Sequence, residues 1–238
     1  MPLLGSGVLA IWNNMTPSSE KEFVNWHVHE HIPERISVPG FLRGRRYIGQ
    51  GSHPKYFNFY ETDTVEVLAS AAYRSRLDAP SPWTRKMLGE FKDTARTACS
   101  VVKSVGTGTG AWIETIQLKA GAGLPSNDFA SALSKLLVEA GADPGIVGIH
   151  LLEGRHETSK VDTAEKSLRG EPDKLADWVI LAEAVDADTL TSLRQTVLTT
   201  QALAACGADG EPVRGIYQFE FGLTKADLAS STAKVQPP

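Results

Sequence analysis

Cysteine is nearly absent: only Cys99 and Cys206 occur, far apart and in no metal-type spacing. That argues against a disulfide framework or a zinc ribbon, and free buried thiols in a reducing cytosol are expected. Long apolar runs are missing too. The stretch MPLLGSGVLAIW at the start has no basic leader and too short an apolar run to span a bilayer, so neither secretion nor membrane insertion is expected. Positive charge is in deficit, with 24 Lys and Arg against 28 Asp and Glu and a net charge of −4. Nucleic-acid binding needs a basic face, and the one tight basic cluster, Arg43, Arg45 and Arg46, is too small to make one. The chain also lacks GxGxxG, a P-loop lysine, GxSxG, CxxC and HExxH. Gly106 to Gly110 (GTGTG) does not open a helix where a nucleotide loop would. A cytoplasmic protein with no cofactor and no nucleic-acid or membrane partner is the expectation.

What is present is ordinary globular material, 42% hydrophobic and 22% charged, arranged in a pattern that occurs twice. Residues 7–12 (GVLAIW) read as a strand. Ser19 with Glu22 matches a capping box opening a helix over 20–31, which Pro33 should end or kink. Strands are predicted over 41–48 and 56–61, helices over 65–76 and 82–91, and a strand over 100–105. After GTGTG the order returns: strand 111–118, helix 127–139, strands 146–152 and 178–185, helix 188–205 and strand 216–221. The helix over 127–139 carries Phe129, Leu133, Leu136 and Leu137 at helical spacing.

The fold class that follows is α+β: two tandem ferredoxin-like βαββαβ repeats, residues 1–106 and 107–223, packed sheet to sheet as an intrachain α/β barrel, with a loose tail over 224–238. A four-stranded sheet covered by helices on one face leaves the other face bare, and the second sheet can bury it.

The chemistry-bearing stretch is residues 23–35, FVNWHVHEHIPER, which holds three of the six histidines. His27 and His31 are four apart and share a helical face, while His29 points roughly 200° away. An imidazole at a cavity rim can give or take a proton near neutrality, and Glu30 or Glu34 could fix its tautomer. Three readings stay open: acid–base or hydrogen-bonding work by His31 and His27, a metal half-site lacking a marked third ligand, or a polar helix end.

Trp26 through Pro33, an aromatic-x4-His-x-Pro arrangement, followed by Pro39-Gly40-Phe41, resembles the first-helix signature of EthD-like proteins of the dimeric α/β-barrel superfamily. That resemblance implies the fold already inferred, in a fused form of a unit usually paired as a homodimer, so that a monomer or a homodimer of fused chains is expected. It implies a pocket between sheet and first helix for small, often aromatic or lactone-like molecules. Some relatives isomerise, cyclise or oxygenate them without a metal, and others in the superfamily carry haem. The family's helix-end histidine carries over to His31 only. An aromatic near Trp83 closes the pocket mouth in relatives, so Trp83 is a candidate wall.

Alternation puts Tyr56, Asn58 and Tyr60 on one strand face and Phe57 and Phe59 on the other, making Tyr56 and Tyr60 candidate binding residues. Arg45 is the candidate for a substrate carboxylate. His150, in a predicted strand, reads as a satisfied core or edge residue. The helix over 127–139 has no histidine, so one site per chain is expected, with the second half kept for structure. The expected function is a cofactor-independent enzyme on a small organic intermediate (isomerase, cyclase, lyase or oxygenase), the alternative being a binding or accessory protein with the same pocket.

Overall fold

The computed structural model describes residues 3–233. The first half runs β1 (Gly7–Met15), α1 (Glu20–Trp26), a π-turn (His27–His31), α2 (Ile32–Ser37), β2 (Phe41–Gly49), β3 (Tyr56–Thr62), α3 (Ala71–Asp78), α4 (Pro82–Leu88) and β4 (Phe91–Gly106). The second runs β5 (Trp112–Ala120), α5 (Ser126–Ala140), β6 (Ile146–Gly154), α6 (His156–Ser159), α7 (Ala164–Leu168), β7 (Trp178–Ala184), α8 (Ala187–Thr196), α9 (Thr200–Ala205) and β8 (Ala208–Thr224), and α10 (Lys225–Ala233) follows.

The strands close into one antiparallel barrel in the order β1-β3-β2-β8-β5-β7-β6-β4. Each half contributes the ferredoxin-like order, β4-β1-β3-β2 and β8-β5-β7-β6. The seams are made by the two long strands, β4 with 16 residues and β8 with 17. One end of β4 pairs with β1 and the other with β6. In the same way β8 spans β5 and β2. Closure leaves no open sheet edge.

Period-two alternation sorts the side chains. In β7, Val179 and Leu181 point into the barrel, where they meet Trp12, Phe57, Phe59, Ile113 and Tyr217 of both halves. Trp178, Ile180 and Ala182 face outward under α5 and α8 with Phe129, Leu133 and Leu190. Phe57 and Phe59 face the interior, while Asn58 and Tyr60 face the helices. Cys99 lies in the interior as a free thiol pushed up to about 12 by burial.

Several local expectations are corrected. β1 continues through Asn13 and Asn14 to Met15 with a bulge, because Asn14 bonds Asp93 and the Lys55 N–H. The Ser19–Glu22 capping box does not form; both Glu22 oxygens accept from Lys86 instead. Pro33 neither ends the helix nor sharply breaks it. A π-turn, in which the Ile32 N–H donates to the His27 carbonyl, widens the helix where the proline ring would clash with the His29 carbonyl. Ser70 breaks the 65–76 helix by capping α3, and Thr199 divides the 188–205 helix by capping α9. Phe91 starts β4 rather than closing α4. The expected loose tail is helical over Lys225–Ala233, where the Lys225 ammonium donates to the carbonyls of Ile36, Ser37 and Val38; residues 234–238 lie outside the described residues. No helix is long and apolar enough to cross a membrane among the described residues.

Candidate functional site

A narrow cavity lies between the outer face of the first-half sheet and the α1–α2 helix. It has about 30 Å3 of room, enough for the centres of about two water molecules. His27, His31, Arg35, Asn58 and Tyr60 line it, with Leu9, Ile11, Leu88 and Phe91 supplying apolar wall.

The π-turn determines how the histidines present themselves. His27 and His31 stack with ring centroids 5.5 Å apart and planes 22° apart, and Trp26 backs His31 at 4.3 Å. Both imidazoles are buried. Burial first, then the positive field of Arg46 and Arg35, holds His27 well below its ordinary range. Burial, Arg35 and His27 do the same to His31. Both rings are therefore neutral at physiological pH.

Hydrogen-bond chemistry assigns the His27 tautomer. Arg46 Nη1 lies 3.4 Å from His27 Nδ1, and a guanidinium can only donate, so Nδ1 accepts. The ring proton is then on Nε2, which donates to the Tyr60 hydroxyl at 3.3 Å. Tyr60 keeps its own proton, because burial pushes the phenol far above its ordinary range. That O–H remains free for a guest in the cavity. Arg46 is itself fixed by Glu220 of β8 at 2.7 Å and by the rings of Phe23 and Tyr56, each 4.7 Å from its guanidinium carbon. The result is a polarised chain: Glu220, Arg46, His27, Tyr60, cavity.

His31 is different. Its Nδ1 is buried with no hydrogen-bond partner among the described residues. An unpaired buried polar atom is costly unless something comes to meet it.

Neither Glu30 nor Glu34 pairs with a histidine, contrary to the sequence expectation. The π-turn carries Glu30 to Ser81 and Thr84, and Glu34 to Arg76. No cluster of three or more His, Cys, Asp or Glu suited to a metal occurs among the described residues.

The structure brings His27, His31 and Tyr60 together and leaves three other candidates outside the lining. Tyr56 packs with Phe23, Trp26 and Met87, and acts at one remove through Arg46. Trp83 rests half-buried on that same cluster, and the aromatic this region gives to the wall is Phe91. Arg45 points into the barrel, not the cavity. There its guanidinium meets Glu61 at 3.1 Å, Glu183 at 2.8 Å and the Tyr47 hydroxyl at 3.0 Å, over the Phe59 ring. Burial alone would raise Glu183, but Arg45 and the His150 ring 3.4 Å away hold it down to about 2. His150 also contacts Ser104 Oγ at 2.9 Å, His29 is exposed, and His156 pairs with Asp177 at 3.0 Å.

Residues of the second half also reach the cavity. Besides Glu220, that half's long 153–177 connection crosses onto the first half. There the Ala164 N–H donates to Asp78, Lys174 bridges to β4, and Glu165 forms a buried ion pair with Arg35. Glu165 and Arg169 complete the cavity wall. Sequence reasoning missed both, together with Arg35, Arg96 and Asn13. Arg35 alone had a signal, lying four residues beyond His31 on the helix. In the second half the corresponding space beneath α5 is filled by Phe129, Leu133, Leu137, Ile149 and Leu151.

No protein-family profile matches the sequence, and no curated protein matches it. Solved structures do. An anthrone oxidase-like protein is similar with a TM-score of 0.60 and 15% identity, covering 92% of each chain. A monooxygenase candidate from Fusobacterium nucleatum gives 0.58 at 10% identity over 94% of this chain and 96% of its own. A heme-binding protein from Thermus thermophilus gives 0.53 at 10% over 96% and 95%. Such neighbours are dimeric α/β-barrel proteins, and the likeness establishes the fold, here closed by a single chain. A porphyrin does not fit a cavity with room for about two waters, and no step of the chemistry below runs through one.

Proposed function

We propose that this chain is a cytoplasmic, EthD-like enzyme in fused two-repeat form that works on a small organic molecule by proton transfer, without a cofactor. The observation that carries the reading is His31 Nδ1, a buried ring nitrogen without a partner, on the same cavity as the hydroxyl of Tyr60. A guest carrying an acidic C–H or O–H would give its proton to His31 Nδ1. The electron pair left behind delocalises onto the guest's oxygen, which takes a hydrogen bond from Tyr60. The imidazolium so formed sits beside Arg35, and its repulsion favours returning the proton to another atom of the guest or to a product. This step is common to isomerase, cyclase and lyase outcomes, and to an oxygenase that passes the carbanion's electrons to dioxygen. The names of the barrel neighbours, anthrone oxidase-like and monooxygenase, support an interest in oxidisable rings. In this reading His27 positions Tyr60, and His31 is the catalytic residue.

A second reading is ligand binding without turnover. It is favoured by the absence of a carboxylate paired with His31 among the described residues, since a working base is commonly oriented by one. One experiment separates the two. Wild type and His31→Ala are screened against small enols, hydroxy acids and unsaturated lactones, with thermal unfolding as the folding control. Turnover in wild type that disappears in a folded His31→Ala supports the enzyme. Turnover that survives the substitution refutes the role of His31, and binding without turnover favours the accessory protein.

A further inference from the structure

The cavity leaves more unused hydrogen-bonding capacity than its histidine. Arg35 is buried, and although one terminal nitrogen holds Glu165, its Nη1 has no partner. Arg96, on β4, uses its guanidinium for one bond, from Nη2 to the Tyr73 hydroxyl at 3.1 Å, and no ion pair is formed with it among the described residues. Arg169, the third guanidinium of the wall, is satisfied by Asp173 in a two-toothed pair at 2.6 and 2.8 Å. The same cavity holds two more buried atoms without partners, the Asn58 Oδ1 acceptor and His31 Nδ1.

A second small hollow lies against the first, and Arg96, Glu165 and Arg169 line both. Arg74 and Lys166 add two cations to its lining, Lys166 being paired with Asp162 at 2.9 Å. With Arg35 paired to Glu165 and Arg169 to Asp173, Arg74 and Arg96 leave the joint lining a local positive excess although the whole protein is acidic, a distribution that favours anions.

Guanidinium donors and the unpaired Asn58 and His31 atoms in one cavity define the complementary guest. We infer that the cavity selects a small organic carboxylate that also carries a hydroxyl: the carboxylate is held by Arg96 and Arg35, and the hydroxyl is turned toward Asn58 and His31. Arg96 is the specificity-determining residue, because Arg35 is already shared with Glu165. The guest is limited to a few heavy atoms, because the two hollows have about 30 and 20 Å3 of room. This inference rests on the reading of the cavity as a ligand site.

The test uses the full chain and three matched probes, glycolate, glycolamide and acetate, by equilibrium dialysis. Wild type is expected to bind glycolate at least about tenfold more tightly than the amide, the usual scale of a charge-assisted pair. Acetate should bind more weakly than the hydroxy acid. Arg96→Gln should bring acid and amide close to equal, while Arg96→Lys, which keeps the charge, retains a preference. Leu9→Trp, which fills the cavity, should abolish all binding. Equal binding of acid and amide by wild type, blocked by Leu9→Trp, overturns the anion inference and leaves the ligand site standing. An acid preference that survives Arg96→Gln removes Arg96 from its role. If no probe binds, or Leu9→Trp changes nothing, the site itself falls and the inference with it.

Discussion

The imidazoles of His27 and His31 lie one above the other, 5.5 Å between centroids, yet only His27 has hydrogen-bond partners: Arg46 on one ring nitrogen and Tyr60 on the other. Four-residue spacing on the helix brings the two rings together, within a π-turn of the kind that recurs at functional sites. The pair divides the labour, with one ring held in a fixed tautomer and its neighbour left free.

The pH dependence of stability follows from that pair. Both histidines have folded values below the unfolded one, so below about pH 6.5 the unfolded chain binds protons that the native chain refuses. Native stability is therefore complete above that pH and falls as pH is lowered toward the folded values. Each ring contributes up to about 1.4 kcal/mol per pH unit in this window. Urea unfolding at pH 7.5, 6.0 and 5.0 should show the loss, and a His27→Asn/His31→Asn double variant should have a visibly flatter slope. An unchanged slope would mean that the rings are not buried as described.

Tyr60→Phe removes the acceptor for the His27 Nε2 proton and the donor aimed at the cavity. We expect a stability cost of about 1–3 kcal/mol from the stranded N–H. We also expect a loss of turnover in kcat larger than any change in KM, since the hydroxyl is proposed to meet charge that develops during reaction. Thermal unfolding and steady-state kinetics read the two effects separately.

Arg45 should matter for stability and not for ligand binding. Replacing it with Ala leaves Glu183 as a buried carboxylate without its guanidinium, while Glu61 keeps Arg43 at 2.7 Å, a loss of about 3–5 kcal/mol by the usual scale for broken buried pairs. Probe binding at the His31 cavity, measured where the variant remains folded, should be unaltered. A selective loss of binding would place Arg45 in the site after all.

Glu165→Ala should loosen the 153–177 connection from the first half. Arg35 then keeps only Glu34, 3.8 Å away, as a carboxylate neighbour. Hydrogen exchange should rise in residues 160–175 while the protection of β1 and β7 is unchanged. Uniform protection in that connection would show that Lys174 and Asp78 alone hold it.

The legible part of this protein was its local order. Strand alternation announced which of Phe57, Asn58, Phe59 and Tyr60 face the barrel and which face the helices, because period two is a property of a single strand. Apolar spacing announced α5 for the same kind of reason. The duplicated βαββαβ order led to a barrel, because one bare sheet face must find another. His27 and His31 stood out because four-residue spacing on a helix brings side chains together.

Other features have no local signature. The π-turn at Pro33 results from a steric conflict resolved within a packed helix, and it sent Glu30 and Glu34 away from the histidines they seemed placed to serve. Arg45 and Arg46 are adjacent, yet alternation sends one into the barrel and the other under the helix, and neither destination carries meaning until the sheet is closed. Glu165 and Glu220 lie 130 and 174 residues from the arginines they neutralise. Pairing of β2 with β8 and the crossing of the 153–177 connection bring them there. Periodicity in a chain encodes which way a side chain faces; what it faces depends on barrel closure, which joins residues far apart in sequence.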